Sequence, residues 1–180
     1  RQPLFLIAMK KLLLLLMASL PLMATAQKIK NHYVVREEAD ASILYMMPVT
    51  LFEADGYGEL TYDITWRDVV GEDSLPATLN FTYYAPDPLE ADSLEIRGRE
   101  VSLAAPCRKL YIDPENRRWK HRYTLSFPVE ELFVLYQESS PEVVLHTPKG
   151  EVRFEVKRRA WGEYQPIGQR IVETIRLNRR

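Results

Sequence analysis

Residues 59–67 read ELTYDITWR, with an apolar side chain at every even-numbered position from Leu60 to Trp66. Successive side chains of a β-strand point to opposite faces, so this alternation predicts a strand with one buried and one solvated face. It is the clearest secondary-structure pattern in the chain. The fold class therefore depends on whether the same pattern recurs.

The alternation recurs in four other segments, at residues 79–83, 94–97, 119–127 and 151–157. A further apolar run, Leu44 to Phe52, contains Pro48, which lacks the N–H of a sheet ladder and favours an edge or broken strand. Turns rich in Gly, Pro and Asp separate these runs. The pattern predicts a mainly β domain of about seven or eight strands, as a β-sandwich or a strongly curved antiparallel sheet.

Two segments have helical spacing instead, Pro128 to Glu138 in the middle of the chain and Pro166 to Leu177 at its C-terminus. Each opens with a proline at a position where a missing N–H costs nothing. Each also carries an apolar stripe at the spacing of one helix face. Such stripes are more typical of core packing than of a partner-binding helix, so we expect two short helices packed on the sheet.

The hairpin around residues 108–127 has a predicted register. If the turn spans Asp113 to Arg118, then Leu110 faces His121, and Cys107 falls on the opposite side of the sheet. The same register sets Lys109 opposite Arg122, a like-charge pair that costs stability.

The first 26 residues are predicted to be an over-extended start, residues 1–8, followed by a secretory signal peptide. A positive start at Met9-Lys10-Lys11 is followed by an apolar run from Leu12 to Leu22 and a small-x-small site at Ala24-Thr25-Ala26. The apolar stretch is shorter than the roughly 20 residues of a membrane-spanning helix. This segment resembles the Sec signals of the Gram-negative cell envelope, and Gln27 as the new first residue resembles exported proteins of Bacteroidetes.

That resemblance implies export to the periplasm, to the outer membrane or to the outside of the cell, with no stable membrane span after cleavage. The residues that follow divide into a polar arm at 27–42 and a single β-rich domain at 43–180. The arm is assigned from its charged, linker-like composition.

Composition and charge exclude several classes of protein. Among 180 residues, 46% are apolar and 11% aromatic, too many for a disordered chain, and a single cysteine excludes a disulfide scaffold. From Glu37 to Ile96 there are 14 acidic residues and one basic residue. This block is either a solvated face or a surface that binds a cation or a basic partner. With an export signal, it argues against nucleic acid as a partner.

The motifs of common enzymes are missing from the sequence. Three histidines show no zinc-binding spacing, and there is no glycine-rich phosphate loop or nucleophile elbow. His121 lies on the predicted core face, where burial would lower its pKa, and the register places it away from Cys107. A core histidine with satisfied hydrogen bonds is favoured over a nucleophile pair. No catalytic residue is assigned.

Two kinds of surface are candidate binding sites. The acidic turns offer oxygen ligands for calcium, although neither matches a known calcium loop, and turn-forming acids are the plainer interpretation. Exposed aromatic residues could stack on a ligand or equally cover the edge of the core. The candidates for calcium are Glu53, Asp55, Glu59, Asp87, Glu90 and Asp92; the candidates for ligand contact are Tyr83, Tyr84, Trp161, Tyr164 and His121.

The sequence therefore predicts an exported, non-catalytic binding or accessory module of the cell envelope, with an envelope protein or a glycan as partner and no cofactor other than calcium. The alternative is a small secreted hydrolase whose carboxylates, such as Glu72 and Asp73, are brought together by the fold. A deep pocket with convergent carboxylates, or a solvent-accessible His121, would favour the hydrolase, and an open charged or aromatic face would favour the module.

Overall fold

The computed structural model describes residues 31–69 and 76–178. This part of the chain contains ten strands and two helices. In chain order they are β1 (Tyr33–Glu37), β2 (Ala41–Ala54), β3 (Gly58–Val69), β4 (Ala77–Ala85), β5 (Ser93–Arg97), β6 (Ser102–Pro106), β7 (Arg108–Glu115), β8 (Arg118–Phe127), α1 (Val129–Leu135), β9 (Glu142–Thr147), β10 (Gly150–Val156) and α2 (Arg158–Asn178).

The strands form one antiparallel sheet in the order β6-β5-β9-β10-β2-β3-β4-β8-β7, with β1 paired to β2 beside this path. The mainly β class with two helices is confirmed, while the number of strands is higher than predicted. One unpredicted strand is β1, which lies within the segment assigned to a polar arm. The predicted signal peptide and residues 27–30 of the arm lie outside the described residues.

β2 lies inside the sheet rather than at an edge, so of the two alternatives expected from Pro48, an edge strand or a broken strand, the broken strand is observed. It pairs with β3 on one side, and with β1 and β10 in succession on the other. Register shifts between Met46 and Val49, and again between Thr50 and Phe52, interrupt its ladder with β3. Pro48 falls in the first interruption, where the sheet does not require its N–H.

The sheet curls on itself until its two ends meet. β6 and β7 stand at opposite ends of the strand order, yet they are consecutive in the chain and joined through Cys107. β6 also lies close to β8. The inward side chains of the curled sheet form one core with an aromatic centre, in which Tyr83, Phe81 and Tyr123 stack in parallel planes.

The predicted central helix is observed as α1, whereas α2 begins eight residues before the predicted start at Pro166. The first turns of α2 are held by packing, because Trp161 stacks on Tyr136 at 5.8 Å and donates a hydrogen bond to the Glu138 carbonyl at 2.9 Å. This packing outweighs the break that Pro166 favours. Within residues 31–69 and 76–178, neither helix combines the length and apolar character needed to cross a membrane.

The β7–β8 hairpin differs from its predicted register. Its turn is the two-residue pair Asn116 and Arg117, both with positive φ (52° and 64°), as in the tight hairpin turns that match sheet twist. A bulge at Leu110 then sets Tyr111, not Lys109, opposite Arg122. The prediction that Lys109 lies opposite Arg122 is therefore wrong.

Candidate functional site

The β2–β3 hairpin supplies a rigid rim at one end of the sheet. Its turn contains Gly56 and Gly58 at φ of 77° and 74°, a conformation that side chains with a Cβ disfavour. The Arg118 guanidinium on β8 donates to the carbonyl oxygens of Gly56 at 2.8 Å and Tyr84 at 2.6 Å. These two bonds fix the hairpin tip against the neighbouring strands.

Four glutamates stand in line across four adjacent strands beside this hairpin. The register pairs Glu142 on β9 with Glu155 on β10, Glu155 with Glu53 on β2, and Glu53 with Glu59 on β3. Directly opposed residues of antiparallel strands share a face and have Cβ atoms about 5 Å apart. We call this set, Glu142, Glu155, Glu53 and Glu59, the glutamate row.

Cations border the row at its ends and along and just after β10, where Arg153 and Lys157 lie two residues before and after Glu155. Arg97 lies opposite Glu142 in the register but forms ion pairs with Glu95 at 2.7 Å and Glu151 at 3.5 Å. At the other end, Lys157 donates to Glu59 at 2.5 Å, and this contact raises the pKa of the lysine.

The middle of the row is less closely neutralised, although the charge of Lys157 also acts on Glu53. In the described part of the chain, Glu142, Glu155 and Glu53 form no ion pair. Opposed like charges destabilise a sheet, so the row carries an electrostatic cost.

A groove of about 510 Å³ runs beside the row and opens to solvent. Its floor includes Tyr57, whose ring contacts Tyr83 and Phe154 of the core at 6.3 Å in each case. Half of its lining residues are acidic, and the one lining guanidinium, Arg153, is paired with Glu151 at 2.9 Å. The acidic lining residues are Glu53, Asp55, Glu59, Glu151 and Glu155.

The first set of calcium candidates, Glu53, Asp55 and Glu59, does converge on this groove. Within residues 31–69 and 76–178, however, no group of three or more carboxylate, histidine or cysteine side chains is close enough to hold a metal ion. The reason is their placement on separate strands and on the turn, since calcium needs six to eight oxygens at about 2.3–2.6 Å.

The second set of calcium candidates does not form a cluster. Asp87 pairs with Lys149 at 3.2 Å, and Glu90 pairs with Lys109. Asp92 is bound through its backbone, which accepts from the Cys107 N–H at 2.9 Å and donates to the His146 carbonyl at 2.8 Å. Asp87 and Glu90 therefore have separate cationic partners, and the three acids do not share one site.

Most of the aromatic candidates are core residues. Tyr83, Trp161 and Tyr164 are buried, and they pack against other rings rather than face solvent. Of the pair Tyr83-Tyr84, only Tyr84 points outward, and its hydroxyl donates to Glu115 at 3.2 Å. The interpretation as core aromatics therefore holds for Tyr83, Trp161 and Tyr164.

His121 is fully buried and stacks on Tyr83 at 4.7 Å. Its Nδ1 lies 2.9 Å from the Trp119 carbonyl and burial lowers its pKa. Within the described residues its Nε2 is buried without a hydrogen-bond partner, so the prediction of satisfied hydrogen bonds holds for one ring nitrogen only. Cys107 is half-buried, and desolvation raises the pKa of its thiol to about 12. A nucleophilic thiol is deprotonated near neutral pH, so this pair lacks an activated nucleophile.

Two other carboxylates on the outward face have dedicated partners. Asp63 is 3% exposed, accepts from Arg122 at 2.6 Å and accepts from the Asn80 amide at 2.8 Å. Glu95 is held by Arg97, Ser102 and His146, and these hydrogen bonds lower its pKa to about 2. The unpaired middle of the glutamate row differs from both.

Sequence reasoning found Glu53 and Glu59 but missed Glu142, Glu151 and Glu155. The last two are in the C-terminal segment, where basic residues outnumber acidic ones, and the charge profile gave no reason to join them to the acidic half. Within β10, the alternation of Glu151, Arg153 and Glu155 did show that they share the outward face. Only the pairing of β10 with β2 shows that they border the same groove.

Comparison of the chain with protein-family models finds no matching family, and searches of curated proteins and of solved structures find no significant similarity.

Proposed function

We propose that the protein is an exported, non-catalytic binding module whose glutamate row and groove bind a cationic segment of a partner in the cell envelope. The observation that carries this proposal is the set of adjacent carboxylates in the middle of the row, which form no ion pair in the described part of the chain. A bound cation would relieve their mutual repulsion. The open, charged groove supports a module over an enzyme.

The length of the row favours a ligand with several positive charges over a single metal ion. Neighbouring strands are about 4.8 Å apart, so four strands spread the glutamates over about 14 Å. Alternate side chains of an extended peptide lie about 6.8 Å apart on one face, and three of them span about the same 14 Å. A segment with lysine or arginine at every second position therefore matches the row in length and charge.

The test is binding of a fluorescent peptide in which lysine alternates with serine, with three lysines in all. We expect binding at low salt that weakens as salt is added, since the attraction is electrostatic. The Glu53→Gln/Glu155→Gln double variant should lose at least about tenfold in affinity, or about 1.4 kcal/mol. Fluorescence anisotropy measures both effects.

The control variant is Asp113→Asn/Glu173→Gln, which removes the same charge from exposed positions on β7 and α2. It should bind within about twofold of the unmodified protein, because long-range charge is screened. If both variants lose the same affinity for the peptide, the binding depends only on the net charge of the protein. That result would contradict a binding site at the glutamate row. Absence of peptide binding to the unmodified protein would contradict the proposal itself.

Calcium is tested on the same protein by thermal unfolding, because a ligand of the folded state raises its stability. We expect no rise in melting temperature with calcium. If calcium raises the melting temperature, and if EDTA reverses the rise and Asp55→Asn abolishes it, then calcium rather than a cationic segment occupies the groove.

A further inference from the structure

A second concave site lies where the two ends of the curled sheet meet. Cα atoms of β6 and β8 approach within 8 Å of each other, yet no ladder joins these two strands. The ladder between β7 and β8 extends no further than Thr124, so among the described strands residues 125–127 pair only with β4. A pocket of about 300 Å³ lies at this gap. We call it the seam pocket; its polar lining residues are Thr78, Arg108, Thr124 and Ser126.

The polar side chains of the seam pocket are hydrogen-bond donors on one face of the sheet. Arg108 lies opposite Thr124 in the register, and Thr78 lies opposite Ser126, so all four point outward. Thr124 is only 7% exposed although it lines the pocket. No acidic residue of the described chain does so. A guanidinium offers five N–H donors and each hydroxyl offers one, so the set suits a ligand rich in acceptor oxygens.

The positive charge of Arg108 is not neutralised within the described part of the chain, where its side chain forms no ion pair or hydrogen bond. Its cross-strand row continues through Thr124 and Asn80 to Asp63 on β3. Asp63 is the one acidic residue of this row, and it already accepts hydrogen bonds from Asn80 and Arg122. Arg108 is therefore available to a ligand.

We propose that the seam pocket binds a small oxyanion, namely a carboxylate, sulfate or phosphate group. Arg108 supplies the cation, and the hydroxyls of Thr78, Thr124 and Ser126 supply further donors. Hydrogen bonds from a guanidinium to such an anion are stronger than bonds between neutral groups, because both partners are charged.

The width of the seam selects a small ligand over an added strand. A strand inserted between β6 and β8 would need about 9.6 Å between them, twice the usual spacing of neighbouring strands. The observed approach of the two strands to within 8 Å is too close for that. A volume of about 300 Å³ lies at the lower end of small-molecule sites, so it accommodates an oxyanion with a small organic group attached.

This site is separate from the proposed binding function. The seam pocket lies among β4, β6, β7 and β8, whereas the glutamate row crosses β9, β10, β2 and β3. The two sites take ligands of opposite charge, so each can fail its test without affecting the other.

Amide NMR of the purified, isotope-labelled protein tests the proposal. Sodium acetate, sulfate and phosphate are each titrated to about 20 mM at fixed ionic strength, which separates binding from general screening. We expect at least one of them to bind in the millimolar range, with its shifts concentrated at the amides of residues 78, 108 and 124–126. The order of the three affinities identifies the preferred group.

Two variants assign the donors. Arg108→Gln should weaken binding of that anion at least about tenfold, since it removes the charge-assisted bonds. Thr124→Val keeps the branched side chain and removes its hydroxyl, and it should weaken binding about threefold. An unchanged affinity in Thr124→Val would contradict the pocket, because Arg108 would then act as an isolated surface charge.

Arg158→Gln is the matched control. Arg158 is exposed on α2, forms no ion pair with the described residues and lies outside the seam pocket. This variant should bind within about twofold of the unmodified protein, because distant charge is screened. A loss equal to that of Arg108→Gln would overturn the proposal, as would the absence of shifts at the pocket amides with all three anions. The dispersion of the amide spectrum shows that each variant is folded.

Discussion

Two regions on the outward face of the same sheet differ in whether their carboxylates have partners. Asp63, on β3, is almost fully buried between an arginine and an asparagine. On β2 and β10 of the same sheet, Glu53 and Glu155 oppose each other with no ion pair in the described residues. The fold supplies partners to the buried carboxylate and leaves Glu53 and Glu155 beside the groove without an ion pair, and this difference supports the proposal that the row binds a cationic ligand.

The largest effect on stability is expected at Asp63, whose charge is neutralised by Arg122. Arg122→Met would leave the Asp63 carboxylate buried without its cation and should destabilise the fold by about 3 kcal/mol in urea unfolding. Removing both charges, with Asp63→Leu/Arg122→Met, should recover much of the loss, because a buried pair contributes little net stability. A single variant that costs less than about 1 kcal/mol would show that Asp63 does not depend on Arg122.

A smaller effect of opposite sign is expected in the glutamate row. Glu155→Gln removes a charge that faces Glu142 and Glu53, so it should stabilise the protein by about 0.5 kcal/mol while weakening peptide binding. The gain should shrink at high salt. Glu173→Gln is the matched control and should change stability little. If Glu155→Gln destabilises the fold, the row is neutralised by contacts of its own.

The smallest effect concerns Glu95, which lies near the row but has partners. Its pKa is lowered from 4.5 to about 2 by hydrogen bonds from Arg97, Ser102 and His146. A carboxyl with a lowered pKa stabilises the fold above its unfolded pKa, and the contribution disappears as pH falls towards 2.

Glu95→Gln should therefore cost about 0.3 kcal/mol above pH 5, a value typical of exposed ion pairs, with the two unfolding curves converging near pH 2. Chemical unfolding across this pH range measures the difference. A constant difference down to pH 2 would mean that Glu95 acts through packing rather than charge.

The sequence predicted those parts of the fold that depend on local pattern. Alternation located β3 and most other strands, and an apolar stripe located α1. It placed the start of α2 too late, because the burial of Trp161 against Phe52 and Tyr136 is a tertiary effect that overrides the local influence of Pro166. It also missed the bulge at Leu110, since one extra residue changes the register without changing composition.

The candidate site was predicted only in part, for the same physical reason. Glu53 and Glu59 belong to one hairpin, so their proximity follows from a local turn. Glu155 joins them through pairing with β2 across about a hundred residues of chain, and no local pattern contains that information. The aromatic candidates were predicted either to be exposed or to cover the edge of the core, and the strong curvature of the sheet encloses Tyr83 in the core.

The long-range pairing of β2 with β10 also has a consequence for folding kinetics. Contacts between residues far apart in sequence require the costliest loop closure, and topologies rich in them fold slowly. The hairpin of β2 and β3 can form early, but Glu53 meets Glu155 only after the C-terminal strand has docked. A partly folded chain therefore has no complete glutamate row, and a ligand of the row should slow unfolding by holding β10 in place without accelerating the earlier steps of folding.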